Sequence, residues 1–198
     1  QGGKVLSLSY QAEAAQFARE NNLTLHLDGA RVCNAAVAQA VSLQEICQHY
    51  ATVSICLSKG LGAPVGSVLV GPKEFIAEAH RWRKMCGGGM RQAGVLAAAG
   101  LFALEQQFDR LAEDHAKARA LAEGLRQIDQ LSINMSKVQS NMVFIDCAAE
   151  LQKPLTRQLR QQGILIGGYG QLRLVTHLDI QDSDILTVIQ AFQEFFST

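Results

Sequence analysis

Two ionisable residues are placed where apolar runs end. Lys59 closes Ala51-Thr-Val-Ser-Ile-Cys-Leu-Ser-Lys59 and opens the turn Gly60-Leu-Gly-Ala-Pro-Val-Gly66, and Asp28 closes Leu23-Thr-Leu-His-Leu-Asp28. Each run reads as a strand, so an amine and a carboxylate are both predicted at the carboxyl ends of strands. In a doubly wound sheet such ends converge on one crevice where ligands bind. An amine there can condense with an aldehyde, and a carboxylate can keep a ring nitrogen protonated, the two functions required by a cofactor that acts as an electron sink. Either residue alone has an ordinary reading: a lysine after a strand is a solvated surface residue, and Asp before Gly begins a turn.

The combination is more specific. His26-Leu-Asp-Gly-Ala-Arg31 and Ser58-Lys-Gly-Leu-Gly-Ala-Pro-Val-Gly66 stand beside Arg81-Trp-Arg-Lys-Met-Cys-Gly-Gly-Gly-Met-Arg-Gln92 and Arg173-Leu-Val-Thr-His-Leu-Asp179. These segments resemble the L-threonine aldolases of the pyridoxal-phosphate aspartate aminotransferase superfamily, and the resemblance runs through nearly all of the chain. It implies an α/β fold of the PLP-transferase type, a large-domain portion at 1–128 followed by a small α+β domain at 129–198. It also implies a lyase that needs pyridoxal 5'-phosphate and cleaves L-threonine or L-allo-threonine into glycine and acetaldehyde. β-Elimination and serine hydroxymethyl transfer share the same Asp, Lys and Arg pattern and stay open as alternatives. The family's phosphate-cradling Gly-rich loop and its ring-stacking histidine have no counterpart in residues 1–20, so the expectation is a C-terminal three-fifths of such an enzyme, and an inactive fragment is a third reading.

The resemblance assigns roles residue by residue. Lys59 holds the cofactor aldehyde as a Schiff base and Asp28 pairs with the pyridine nitrogen, both being catalytic and cofactor-binding. Arg31 and Arg173 bind the substrate carboxylate, and Arg91, with Lys84 less firmly, serves the phosphate end or the subunit contact beside it. The residue types suit these roles, because a guanidinium presents a planar fork of donors to a carboxylate. Arg173 sits inside the apolar strand Leu172 to Val175, where a charge must pair or face a cleft. Gly87-Gly-Gly89 ahead of Met90-Arg91 permits a nest of N–H groups for an anion; a flexible break between helices explains the same glycines. His26, on the strand face of Asp28, either touches the cofactor's surroundings or is a buried core histidine.

These residues need a scaffold, and the hydrophobic periodicity supplies one. Helices are predicted over Leu8 to Asn21, Leu43 to Tyr50, Pro72 to Lys84, Gly94 to Phe108, Arg110 to Ile128, Pro154 to Gln162 and Asp182 to Phe196. Strands are predicted over Leu23 to Leu27, Thr52 to Leu57, Ser67 to Val70 as a hairpin partner, Asn141 to Asp146, Ile164 to Ile166 and Leu172 to Val175. Helix and strand in alternation are what a sheet covered by helices requires. The helix starting at Arg110 is expected to link two lobes, with the boundary near Gly124 to Gln130.

Composition sets the remaining bounds. The 18 basic and 18 acidic residues cancel, which gives no electrostatic reason to expect nucleic acid or an anionic membrane as a partner. At 48% apolar, with no stretch near the roughly 20 residues a bilayer demands, a soluble protein without membrane partners is expected. Five widely spaced cysteines without a C-x-x-C pair suggest a reducing, cytoplasmic setting. No histidine or cysteine cluster points to a metal. A small amino acid is the expected substrate, and a homodimer or homotetramer the expected assembly.

Overall fold

Strands β1 (His26–Gly29) and β2 (Thr52–Cys56) run parallel, with Asp28 opposite Ser54 and Gly29 opposite Ile55. Parallel neighbours need a crossover, and α2 (Val32–Gln39) with α3 (Leu43–Cys47) provides it. The preceding helix α1 (Leu8–Glu20) is capped by Ser7, whose side chain accepts from the Tyr10 N–H. From β2 the chain returns antiparallel as β3 (Ser67–Val70), giving the sheet order β1-β2-β3. The expected hairpin partner is thus present. Val32, Cys33, Ala36, Ile46, Leu57, Leu61 and Leu111 form the core of this unit, which spans Leu6–Leu111.

The computed structural model describes residues 2–168 and 170–197, and the chain divides into that unit and a second one made of Gln1–Val5 with Ala112–Thr198. The first unit also carries α4 (Lys73–Met85), which buries no residue, and α5 (Gly94–Gln106), which buries Gly100 and Ala103. A Cβ on Gly100 would stand 2.9 Å from Leu57 Cδ1, so the glycine lets α5 lie directly on the end of β2.

The second unit holds α6 (Leu111–Leu125) from Ala112 onward, β4 (Leu131–Ser132), β5 (Met142–Cys147), α7 (Ala149–Gln161), β6 (Leu172–Val175) and α8 (Asp182–Phe196). Its antiparallel sheet has the order β4-β5-β6, with Phe144 opposite Arg173. Ala118, Leu121, Ala122 and Leu125 of α6 pack with Val143, Ile145, Leu155, Leu159 and Phe192. The helix expected to link two lobes therefore belongs, from Ala112 on, to the core of the second, and the division falls at its first residue, whereas the expected boundary lies at its far end, near Gly124 to Gln130.

Other differences have local causes. The apolar run from Leu23 does not start as a strand, because Asn22 turns left-handed (φ 53°) and the Leu23 N–H donates to Ala18 O to close α1. Helix α7 opens at Ala149, well before Pro154, which it tolerates inside; Leu155 and Leu159 are fully buried and hold it down. The predicted strand Ile164 to Ile166 is absent. Gly163 and Gly168 have positive φ on either side, and the segment makes one bridge, Gly167 to Arg173, before diverging from β6.

Candidate functional site

Because β1 and β2 are adjacent and parallel, their carboxyl ends lie at the same end of the sheet, and Asp28 and Lys59 both belong to that end. Asp28 is exposed at the close of β1, and its Oδ1 accepts the Ala30 N–H at 3.2 Å. The approach of the two strands depends on Gly29. A Cβ there would stand 2.5 Å from Ser54 O and 3.1 Å from Val32 Cγ1, so only glycine fits between β2 and the start of α2.

Lys59 is exposed in the loop that joins β2 to β3, and this loop is closed at its base by Leu57 N–H to Gly66 O (3.0 Å) and Ala63 N–H to Leu57 O (3.0 Å). Gly62, at φ 72°, returns its N–H to Lys59 O at 2.9 Å. Gly60 is buried, and its carbonyl accepts from Arg110 Nη2 at 3.3 Å. The lysine thus stands at the head of a loop whose backbone is internally bonded, while its own side chain reaches solvent.

Arg31 is half-buried and is the N-cap residue of α2, directly after β1. In sequence Arg31 reads either as a residue on the loop leaving β1 or as an arginine starting a helix, and the second is what is found; the helix has no predicted extent, because its run Val-Cys-Asn-Ala-Ala-Val-Ala-Gln buries Val32, Cys33, Asn34 and Ala36 and shows little polar periodicity. His26 is exposed, not a core histidine, and its Nδ1 shares a hydrogen bond of 2.8 Å with Thr52 Oγ1 across the parallel pair.

The glycines before Arg91 do not form a free nest of donors. Gly87, Gly88 and Gly89 give their N–H groups to Lys84 O, Arg83 O and Gly87 O at 3.1, 2.8 and 3.0 Å. They close the carboxyl end of α4, as helix-terminating glycines do. Arg91 follows exposed in the turn before α5, and Lys84 is exposed in the last turn of α4.

Arg173 lies in the second unit. Its neighbours Leu172 and Leu174 are buried and Arg173 is exposed, so it projects from the face of β6 opposite the core. It lines a concavity of about 540 Å³ together with Ile164, Ile166, Thr176, His177 and Val188. Thr176, 2% exposed, locks the strand's end: its hydroxyl donates to Asp114 O (2.7 Å), its N–H to Asn141 O (3.0 Å), and its carbonyl accepts from Asn141 Nδ2 (2.8 Å). This buried threonine has no mark in the sequence, since a place at the end of a strand pattern carries no signal of three bonds to distant segments.

Burial pushes the Cys33 thiol up to about 11, with Cys47 adding to the effect, and also raises Cys47 and Cys147. These are inert packed thiols rather than nucleophiles. Among the described residues there is no cluster of three or more metal-ligating side chains, and no helix is long and apolar enough to cross a membrane.

Against known proteins, residues 1–148 match the beta-eliminating lyase family. The chain is 45% identical over 195 residues to the low specificity L-threonine aldolase of Escherichia coli K12, covering 98% of this chain and 58% of that protein. It is 42% identical over 200 residues to the probable low-specificity L-threonine aldolase 2 of Arabidopsis thaliana, covering 98% of this chain and 56% of that one. The chain therefore spans somewhat over half the length of the curated relatives it matches. Its fold matches the solved threonine aldolase of Leishmania major with a TM-score of 0.80 at 18% identity, over 96% of this chain and 57% of that one. An α/β unit with a parallel strand pair, followed by a smaller α+β unit, is thus the corresponding part of the threonine aldolase fold, and the chain belongs to the beta-eliminating lyase family.

Proposed function

We propose that this chain carries the lysine and aspartate of a pyridoxal-phosphate-dependent aldolase that cleaves L-threonine or L-allo-threonine to glycine and acetaldehyde. The observation that carries the reading is the placing of Asp28 and Lys59 at the carboxyl ends of adjacent parallel strands, in register through Asp28 and Ser54. The residues fit the ring and aldehyde ends of the cofactor: an exposed carboxylate with one oxygen already bonded to Ala30 N–H, and an exposed amine on a fastened loop. What pyridoxal phosphate supplies when bound is a ring that accepts the electrons of a breaking bond.

The chain's own residues do the rest. Asp28, an anion, favours the charged form of a base beside it and so holds the proton on the ring nitrogen. Lys59 supplies the amine that anchors the aldehyde. Arg31 and Arg173 bind the substrate carboxylate as planar forks of donors, which fixes how the bond to be broken is presented. Arg91 contributes at the phosphate end as a cation, not through the glycines before it, whose N–H groups are taken.

Exposed Phe75, Trp82, Met85, Val95, Leu101 and Phe102 on α4 and α5 support a homo-oligomer, dimeric or tetrameric, and the free cysteines Cys33, Cys47, Cys56, Cys86 and Cys147 support a reducing, cytoplasmic setting. Exposed apolar side chains gathered on helices that bury so little are ordinarily covered by another surface.

The test is borohydride reduction in the presence of pyridoxal phosphate, followed by peptide mapping, with acetaldehyde release from threonine measured in parallel. The pyridoxyl mass belongs on Lys59; label on Lys73 or Lys84 with Lys59 untouched sinks the assignment. Asp28→Asn should keep the label and lose turnover by about tenfold or more, each 1.4 kcal/mol being a factor of ten in rate. Normal turnover in that variant places the ring-nitrogen partner elsewhere. The family's description favours a second reading in which the same residues serve β-elimination; pyruvate and ammonia from serine, without acetaldehyde from threonine, identify it.

A further inference from the structure

The loop that presents Lys59 is held from below by a side chain that the sequence does not mark. Arg110 is half-buried, and its Nη2 donates to Gly60 O at 3.3 Å while its Nε donates to Gln107 Oε1 at 3.0 Å. Gly60 is also fixed sterically. A Cβ on it would stand 2.6 Å from Cδ2 of the fully buried Leu111 and 3.3 Å from Oδ1 of the buried Asn34. The residue after Lys59 is therefore seated between Leu111 and Asn34, with its carbonyl gripped by a guanidinium fifty positions along the chain.

We propose that Arg110 is a positioning residue for Lys59. A lysine on a mobile loop samples many orientations, whereas one whose adjoining peptide is clamped presents its amine from a single backbone position, and proximity effects depend on that restriction. The guanidinium suits the task because its donors form a rigid fork: Gln107 fixes one arm and thereby aims the other at Gly60 O. A substitution at Arg110 leaves Lys59 chemically intact but releases the backbone that orients it. The inference rests on the reading of Lys59 as the amine that takes the cofactor aldehyde.

The experiment uses the purified 198-residue chain with pyridoxal phosphate and borohydride, which delivers hydride to the C=N bond formed between amine and aldehyde with loss of water. Pyridoxyl label is quantified on the Lys59, Lys73 and Lys84 peptides, the latter two being exposed on α4 and serving as internal references. In Arg110→Gln the label on Lys59 should fall about tenfold, as displaced reacting groups do, while Lys73 and Lys84 keep theirs. Arg110→Lys, with charge but no fork, should be intermediate, and Gln107→Ala should show a smaller loss of the same kind. Circular dichroism monitors folding. A folded Arg110→Gln with wild-type label on Lys59 overturns the proposal, as does a loss shared equally by all three lysines. If Arg110→Gln does not fold, wild-type labelling in Gln107→Ala overturns it. An unsubstituted chain that labels Lys59 no better than Lys73 and Lys84 overturns the reading of Lys59 and this inference with it.

Discussion

Gly29→Ala tests whether the close approach of β1 and β2 holds Asp28 in place. The new Cβ would lie 2.5 Å from Ser54 O, against about 3.3 Å for the shortest ordinary carbon to oxygen contacts. No rotamer can relieve this, because a methyl has none and Ser54 O is backbone within the paired strand. Val32 Cγ1, 3.1 Å away, blocks movement toward α2. One strand must therefore shift by most of an ångström, which belongs at the upper end of overpacking costs, about 3 kcal/mol. Such a loss raises the unfolding constant roughly 150-fold and, with a urea slope of about 2 kcal/mol per molar, lowers the midpoint by about 1.5 M. Urea titration followed by circular dichroism reads it directly. Gly94→Ala is the matched control: its Cβ meets nothing within 4 Å and it lies at the start of α5, so stability should be kept or slightly raised. A Gly29→Ala midpoint within experimental error of the parent refutes the reasoning, because β1 would then tolerate the displacement without cost.

Arg173→Lys keeps the charge and loses the fork, so the Michaelis constant for threonine should rise by the worth of a charged hydrogen bond, about 1.5–3 kcal/mol, or roughly tenfold to a hundredfold; an unchanged constant makes Arg173 an ordinary surface residue. Cys33 gives a pH dependence. Its folded thiol is raised from 9.0 to about 11, burial being the main cause, so its contribution is complete below about pH 9 and is lost as pH climbs toward 11, where the unfolded chain ionises first. The urea midpoint should fall across that window and Cys33→Ala should flatten the fall; identical slopes in the two proteins remove Cys33 from the effect.

Elements whose signals are local were legible in the amino-acid sequence. Val53, Ile55 and Leu57 beside Lys59, the hairpin return at Ser67 to Val70, and the amphipathic helices α1, α4 and α8 are written in short-range pattern, since backbone and side-chain preferences act over a few residues. So are the positions of Asp28 and Lys59 at strand ends, because a polar residue that closes an apolar run is visible without a fold. The extent of helix α2 was not legible, the helix being apolar on most sides and its N-cap residue Arg31 making no side-chain capping bond. The strand at Ile164 to Ile166 failed for a complementary reason: three apolar residues suffice for a pattern, but pairing needs a partner edge, and the glycines around them turn the chain away from β6.

Which of these residues act on one another follows from the folded arrangement. That β1 and β2 are parallel neighbours brings Asp28 and Lys59 to one end of a sheet, and pairing between distant segments follows from packing that no local pattern contains. The glycines illustrate it best. Gly29, Gly60 and Gly87 look alike in sequence, yet Gly29 admits a neighbouring backbone, Gly60 sits against Leu111 under the grip of Arg110, and Gly87 ends a helix at φ 87°. A missing side chain acquires its meaning from what occupies the space beside it, and that is a property of the folded molecule alone.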